Sequence, residues 1–174
     1  MVSSNLACSL LLRPNFILIN TKQDVLRLLE EGLALPDVVG QYFATVHQWM
    51  PIVSLKKLHR WFANPTWEAG TDIACLFLAM KLLVSPRPPD GSDIIQTPLY
   101  QSTKRFISLL EGGGAASLAV LQANILITWY EYGHAIYPAA YMSAGWCVRY
   151  GNLLGINTID EAPQLLTPPV GLPP

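Results

Sequence analysis

Apolar residues recur along this chain at the three- and four-residue steps of helices, in blocks separated by Pro and Gly. The run Phe16–Ile19 is the one short stretch with any strand character, so the spacing predicts an all-α fold, an irregular bundle of about six to seven helices. Thr21 and Asp24 precede Val25–Glu31 and Gly32 follows it, which places a short helix between two caps. Pro36 suits the first turn of a second helix, expected to run through Tyr42, Phe43 and Val46 toward Trp49 and to stop at Pro51. Ser54 can cap Leu55–Phe62, with Leu55, Leu58 and Phe62 on one face and Lys56, Lys57 and Arg60 elsewhere.

Asn64–Pro65 is expected to open the next helix, with Glu68 and Asp72 near its positive end, an apolar middle from Ile73 to Met80, and Lys81 in its last turns. Residues 85–96 read as a surface loop, and Thr97–Pro98 starts a helix that Gly112 ends. Two further helices are expected over about Ala115–Tyr132 and Pro138–Leu154. The segment from Pro163 to Pro174 holds five prolines and reads as a Pro-rich tail.

Charge changes the picture most in the second half. From Gly112 through Val148 the only charged residue is Glu131. Helices apolar all round are buried all round, and a chain of 174 residues with 13% charged side chains has little polar surface to bury two of them. Residues 115–154 are therefore expected to carry a contact surface, for a protein partner or a second copy. In the same region Leu121, Ile125, Trp129 and Trp146 are expected to pack together, and Arg149 is expected to pair with Glu131.

Overall composition excludes several classes. Hydrophobic residues make up 51%, which rules out disorder over most of the length. A net charge of -1 draws the chain to neither phosphate backbones nor anionic lipid. Cys8, Cys75 and Cys147 lie too far apart for a Cys-x-x-Cys metal pair and fit an intracellular, reducing setting. The apolar run before Cys8 lacks the basic start and the length of a signal peptide, and Leu118–Trp129 is too short to span a bilayer, so no membrane association is expected.

Candidate chemistry is sparse. Glu131 and His134 form one Glu-x-x-His pair, whereas a di-iron bundle needs two, and Gly133 inside the motif fits a helix end better. Cys147 sits in an apolar helix, where a thiol is inert. A small metal-binding or catalytic protein using Glu131, His134 and Cys147 is the alternative reading. The basic cluster Lys56, Lys57, His59 and Arg60 reads as a solvated helix face. Gln122 and Asn124, amides inside an apolar helix, need partners and are expected to bond between helices.

Taken in order, these blocks resemble the fungal-specific transcription factor domain, the middle homology region of fungal zinc-cluster regulators. The likeness starts at Tyr42–Val53, where His47 follows Val46 and Pro51–Ile52 makes a turn, and continues through Asp72–Met80 and Pro98–Leu99–Tyr100. Ser117–Leu126, with Gln122–Ala123, resembles the family's Ser-x-x-x-x-Gln-Ala helix, and Tyr130–Gly133 its Tyr-x-x-Gly ending. Ala140–Gly145 and Arg149–Asn157, with Leu154–Gly155–Ile156, are similar to its Arg-x-x-x-x-Leu-Gly-Ile element.

The resemblance implies a non-catalytic regulatory domain over 36–157, after an N-terminal extension of 1–35 and before a tail of 158–174, and a nuclear location. It implies His47, Pro51, Gln122, Gly133, Arg149, Leu154 and Gly155 as motif positions, and no cofactor in this chain. The family's zinc belongs to a six-cysteine DNA-binding module that nothing before Tyr42 resembles. The domain is accordingly expected to be truncated, and DNA to be contacted only through the missing module.

Overall fold

A computed structural model of the chain describes residues 25, 27–62, 70–86, 93–114 and 116–156. Within these, the helices with defined bounds are α1 (Leu35–Ala44), α2 (Leu55–Phe62), α3 (Thr71–Val84), α4 (Pro98–Gly112), α5 (Leu118–Gly133) and α6 (Tyr137–Leu153). A helical stretch at 27–30 precedes them, and no strand occurs among the described residues. The all-α expectation holds. The run Phe16–Ile19, the caps Thr21 and Asp24, the Asn64–Pro65 start, Glu68 and the Pro-rich tail lie outside the described residues.

α3 is the centre of the fold, because it has no polar face to offer water: Cys75, Leu76, Leu78, Ala79 and Met80 are all fully buried. α1, α4 and α5 pack around it, and α6 packs on α5. The layer order explains why α5 buries nine of its residues and α6 only Ala140, Ser143 and Tyr150.

Several boundaries differ from expectation for local reasons. α1 stops at Ala44 rather than near Trp49, because Thr45 leaves helical geometry (φ -120°, ψ -78°) and a separate 3-10 turn follows at Val46–Gln48. Gly70, extended at φ -54° and ψ 160°, is the N-cap of α3, so that helix runs from Thr71. α5 starts at Leu118 instead of Ala115 because Ser117 is its cap, accepting from the Ala119 N–H at 3.2 Å while donating to Asp72 Oδ2 at 2.6 Å. Leu55 is 44% exposed and does not share the core face of Leu58.

Lys81 does more than complement a helix dipole. Its ammonium is buried and donates to the carbonyls of Leu28 (2.7 Å), Leu29 (3.1 Å) and Glu31, closing the orphaned end of the 27–30 stretch. Burial lowers its pKa from the ordinary lysine value, against an opposing attraction from Glu31. Gly32, at φ 73°, then reverses the chain, as its position predicts.

Candidate functional site

Two features stand out on the α4, α5 and α6 side of the molecule: a buried polar network and, beside it, an exposed aromatic groove. The network is centred on Glu131, whose side chain has no exposure. Its Oε1 accepts from the Tyr100 phenol at 2.8 Å and pairs with Lys104 Nζ at 2.9 Å. Lys104 also donates to Ser143 Oγ at 2.8 Å, which links α4 to α6. Burial, then the bond to Glu131 and its charge, push the Tyr100 phenol well above its ordinary pKa. Tyr100 stacks on Tyr130 at 5.8 Å, and the Tyr130 ring meets His134 at 4.1 Å with the planes tilted by 37°.

Asn124 continues the polar seam, donating to Ser143 O at 3.5 Å and reaching Cys147 Sγ at 3.4 Å, while Thr128 lies 3.7 Å from the same sulfur. The Cys147 thiol is raised in pKa by burial, against the lowering effect of Thr128, Asn124 and Lys104. Such a thiol is not a nucleophile at neutral pH. The expected interhelical role of Asn124 is therefore seen, whereas Gln122 finds its partner outside a helix, donating to the Ile52 carbonyl in the turn after Pro51 at 2.5 Å.

The expected Arg149–Glu131 pair does not form. Glu131 faces α4 and is taken by Lys104, while Arg149 lies exposed on α6 beside Gly145. Glu131, His134 and Cys147 are not a site either. His134 Nδ1 bonds the Tyr130 carbonyl at 2.8 Å, each of the other two has the partners given above, and no metal-binding group of three such residues exists among the described residues.

The motif positions are mostly structural joints. Pro51 is exposed at the turn whose Ile52 carbonyl receives Gln122, so these two motifs meet. His47 rests against Phe43 at 4.5 Å, with its Nδ1 buried and unpartnered among the described residues, as is the Tyr42 hydroxyl. Leu154 caps α6 and Gly155 (φ 72°) ends it. The Ile156 N–H reaches back to Gly151 O at 3.1 Å and the Gly155 N–H to Asn152 O at 3.0 Å, the paired bonds of a Schellman stop. α5 ends the same way, but the left-handed residue is Ala135 (φ 58°), and Gly133 remains within the helix.

The groove runs between α5 and α6. It holds about 520 Å³ and is lined by Thr128, Trp129, Tyr132, Tyr137, Ala140, Tyr141 and Ala144. Its rings form a ladder, Trp49 on Trp129 at 5.3 Å, Trp129 on Tyr132 at 5.9 Å, and Tyr132 on Tyr137 at 6.2 Å. Trp129 is thus part of the surface, at 44% exposure, and not of the expected cluster with Leu121 and Trp146, which instead stacks on Tyr150 at 4.3 Å. Nothing in the groove is charged.

Comparison with known proteins decides what kind of protein carries these features. The chain is 42% identical over 142 residues to the transcription factor BOA15 of Botryotinia fuckeliana, covering 78% of this chain and 76% of that protein. The chain belongs to a family of fungal transcription factors. It is also 30% identical over 139 residues to the azaphilone cluster-specific transcription factor azaR of Aspergillus niger, covering 76% of this chain and 29% of the relative. With the citrinin biosynthesis transcriptional activator ctnR of Monascus purpureus it shares 32% over 133 residues, 74% of this chain and 22% of the relative. No family model and no solved structure matches.

Membership in this fungal transcription factor family makes the protein a regulator of transcription and not an enzyme. Among the described residues no helix is long and apolar enough to cross a membrane.

Proposed function

We propose that residues 36–157 are the regulatory, middle homology domain of a fungal transcription factor. The domain is non-catalytic, acts in the nucleus, holds no cofactor, and works by protein contact through residues 115–154. DNA is reached only through a zinc-cluster module that these residues do not form, so the domain is a part of the family's full design.

One observation carries this reading: kinship with transcription factors is joined to an exposed aromatic groove without a charge in it. Duplex DNA would demand the opposite, a cationic face. The cations that α2 exposes, Lys56, Lys57 and Arg60, belong to a chain of net charge -1 and are set on a helix of 8 residues. The larger relatives match over only 29% and 22% of their length, which is what a domain within a longer regulator would give.

The test fuses the chain to a heterologous DNA-binding module at a reporter promoter. A severalfold change in transcription relative to the module alone is expected, along with no salt-sensitive, sequence-selective shift of labelled DNA by the chain by itself. An unchanged reporter, a selective shift, or stoichiometric iron or zinc in the purified chain would overturn the proposal.

A further inference from the structure

The groove between α5 and α6 offers apolar ring faces and unengaged hydroxyls side by side, and no charge. Tyr132 and Tyr137 are each 60% exposed and Tyr141 81%. Each step of the ladder is edge-on, Trp129 to Tyr132 at 83° and Tyr132 to Tyr137 at 80°, so ring faces stay open instead of covering one another. The hydroxyls of the three tyrosines make no hydrogen bond among the described residues, which leaves them as donors next to those apolar faces.

We propose that the occupant is the chain's own Pro-rich segment, residues 163–174, lying along the groove as a polyproline II helix. This deepens the contact surface of the proposed function and rests on it: the docked segment competes with any partner for that surface. Chemistry selects the occupant. A polyproline II stretch has rigid apolar rings and carbonyls without internal hydrogen bonds, and aromatic-lined grooves take such segments because little entropy is lost on docking. Here the open ring faces would pack the prolines, and the tyrosine hydroxyls would donate to the carbonyls. The segment has that composition, with Pro163, Pro168, Pro169, Pro173 and Pro174. Pro169 and Leu172, like Val170 and Pro173, stand three apart, one turn of that helix, so each pair presents an apolar edge.

Charge and reach agree. No side chain from Ala162 to Pro174 is charged and none lining the groove is, so no charge is desolvated when one meets the other. From Ile156, just past the stop at Gly155, back to Ala144 at the groove is about 18 Å along the helix at 1.5 Å per residue. Residues 157–162, fully extended, span about 20 Å, which brings Pro163 level with Ala144 and lets the residues after it run toward Tyr137. The tether also favours this occupant over a free one. A short linker holds its end at an effective concentration of the order of 1 mM, so even an intrinsic Kd of about 0.1 mM leaves the groove filled about ten times as often as empty.

Hydroxyl-radical footprinting of the full chain at low micromolar concentration tests the docking. Tyr132, Tyr137 and Tyr141 are expected to be oxidised severalfold more slowly than in a variant carrying Pro168→Gly, Pro169→Gly and Pro173→Gly. Val170→Asp, which sets a charge against an uncharged wall, should expose the same tyrosines and serves as the second variant should the first lose its helix content by circular dichroism. With p-benzoylphenylalanine in place of Tyr141, irradiation should join position 141 to residues 163–174 of the same molecule, at the monomer mass. Equal tyrosine reactivity in the wild type and both variants overturns the proposal. So does a cross-link to another part of the chain or to a second copy, protection that rises with protein concentration, or protection that appears only when another protein is added. The reporter experiment above does not read what fills the groove, so failure of the docking and failure of the regulatory assignment are distinguishable.

Discussion

Replacing Lys104 by Met isolates the buried carboxylate of Glu131. In the native fold Oε1 is held at 2.9 Å by Lys104 and at 2.8 Å by Tyr100, while Oε2 is buried with no partner among the described residues. Stripping the cation leaves a fully buried anion with one neutral donor. Removing one member of a buried pair typically costs about 3–5 kcal/mol. Lys104 is 34% exposed, so solvent already screens part of the attraction and about 2–3 kcal/mol is the appropriate expectation here. For a chain of this size that is a fall in Tm of roughly 5–10 °C.

The reverse change is milder. Glu131→Gln keeps an oxygen for Tyr100 and leaves a lysine that can still reach Ser143 and water, so about 1 kcal/mol is expected. The double variant Lys104→Met with Glu131→Leu should be more stable than Lys104→Met alone, because no charge remains to be desolvated. Urea denaturation followed by circular dichroism measures all three. A Lys104→Met variant within about 0.5 kcal/mol of wild type, or a double variant less stable than that single one, would refute the reasoning.

Tyr42→Phe should be neutral or stabilising by up to about 1 kcal/mol, since the buried hydroxyl it removes has no partner among the described residues. Burial pushes the Tyr42 phenol up to about 12, so the unfolded chain loses that proton first and wild-type stability should fall as pH rises through 10 to 12, a slope the variant lacks in part. Ala135→Gly should stabilise by about 1 kcal/mol by relieving the left-handed backbone at φ 58°, read as a rise in Tm. Lys81→Met should cost about 2–3 kcal/mol by orphaning the carbonyls of Leu28, Leu29 and Glu31. Because burial lowers the Lys81 pKa, the unfolded chain binds the extra proton between the folded value and the ordinary 10.5, so this group's share of stability should rise with pH across that window and vanish from the variant's profile.

Helix existence was legible because Pro36, Pro98 and Pro138 sit at helix starts and Gly32, Gly114 and Gly155 take left-handed turns near helix ends. The amides Gln122 and Asn124 were legible as joints because an apolar helix gives them no water. Pairing across the fold was not. Arg149 suggested itself for Glu131 because both stand in the same charge-poor region, but sequence order does not say which way a side chain turns, and Glu131 points to α4. The available signal was Tyr100 with Lys104, four residues apart on one face of α4 near the buried Thr103 and Phe106, a polar pair that needed a buried acceptor. Ala135 was missed for the opposite reason: Gly133 was the residue with the conformational freedom, and the chain reverses two residues later.

The charge-poor region also shows where composition stops being informative. α5 and α6 have almost the same charge content, one acid and one base, yet α5 buries nine residues and α6 three, and neither is buried all round, since Leu118, Trp129 and Tyr132 of α5 are exposed as well. What separates them is position, since among the described residues α5 packs against both α3 and α6, while α6 packs mainly on α5 and touches α4 through Ser143 and Lys104. The side chains record the difference in kind. The fully buried positions of α5 are Val120, Ala123, Leu126, Ile127 and the paired Glu131, whereas the outer positions of α6 are Tyr137, Tyr141, Met142, Val148 and Leu153, with α5 adding Tyr132 at the groove. Tyrosine presents a large apolar face yet keeps a hydroxyl for water, so it is the side chain of a surface that is wet when free and dry when docked.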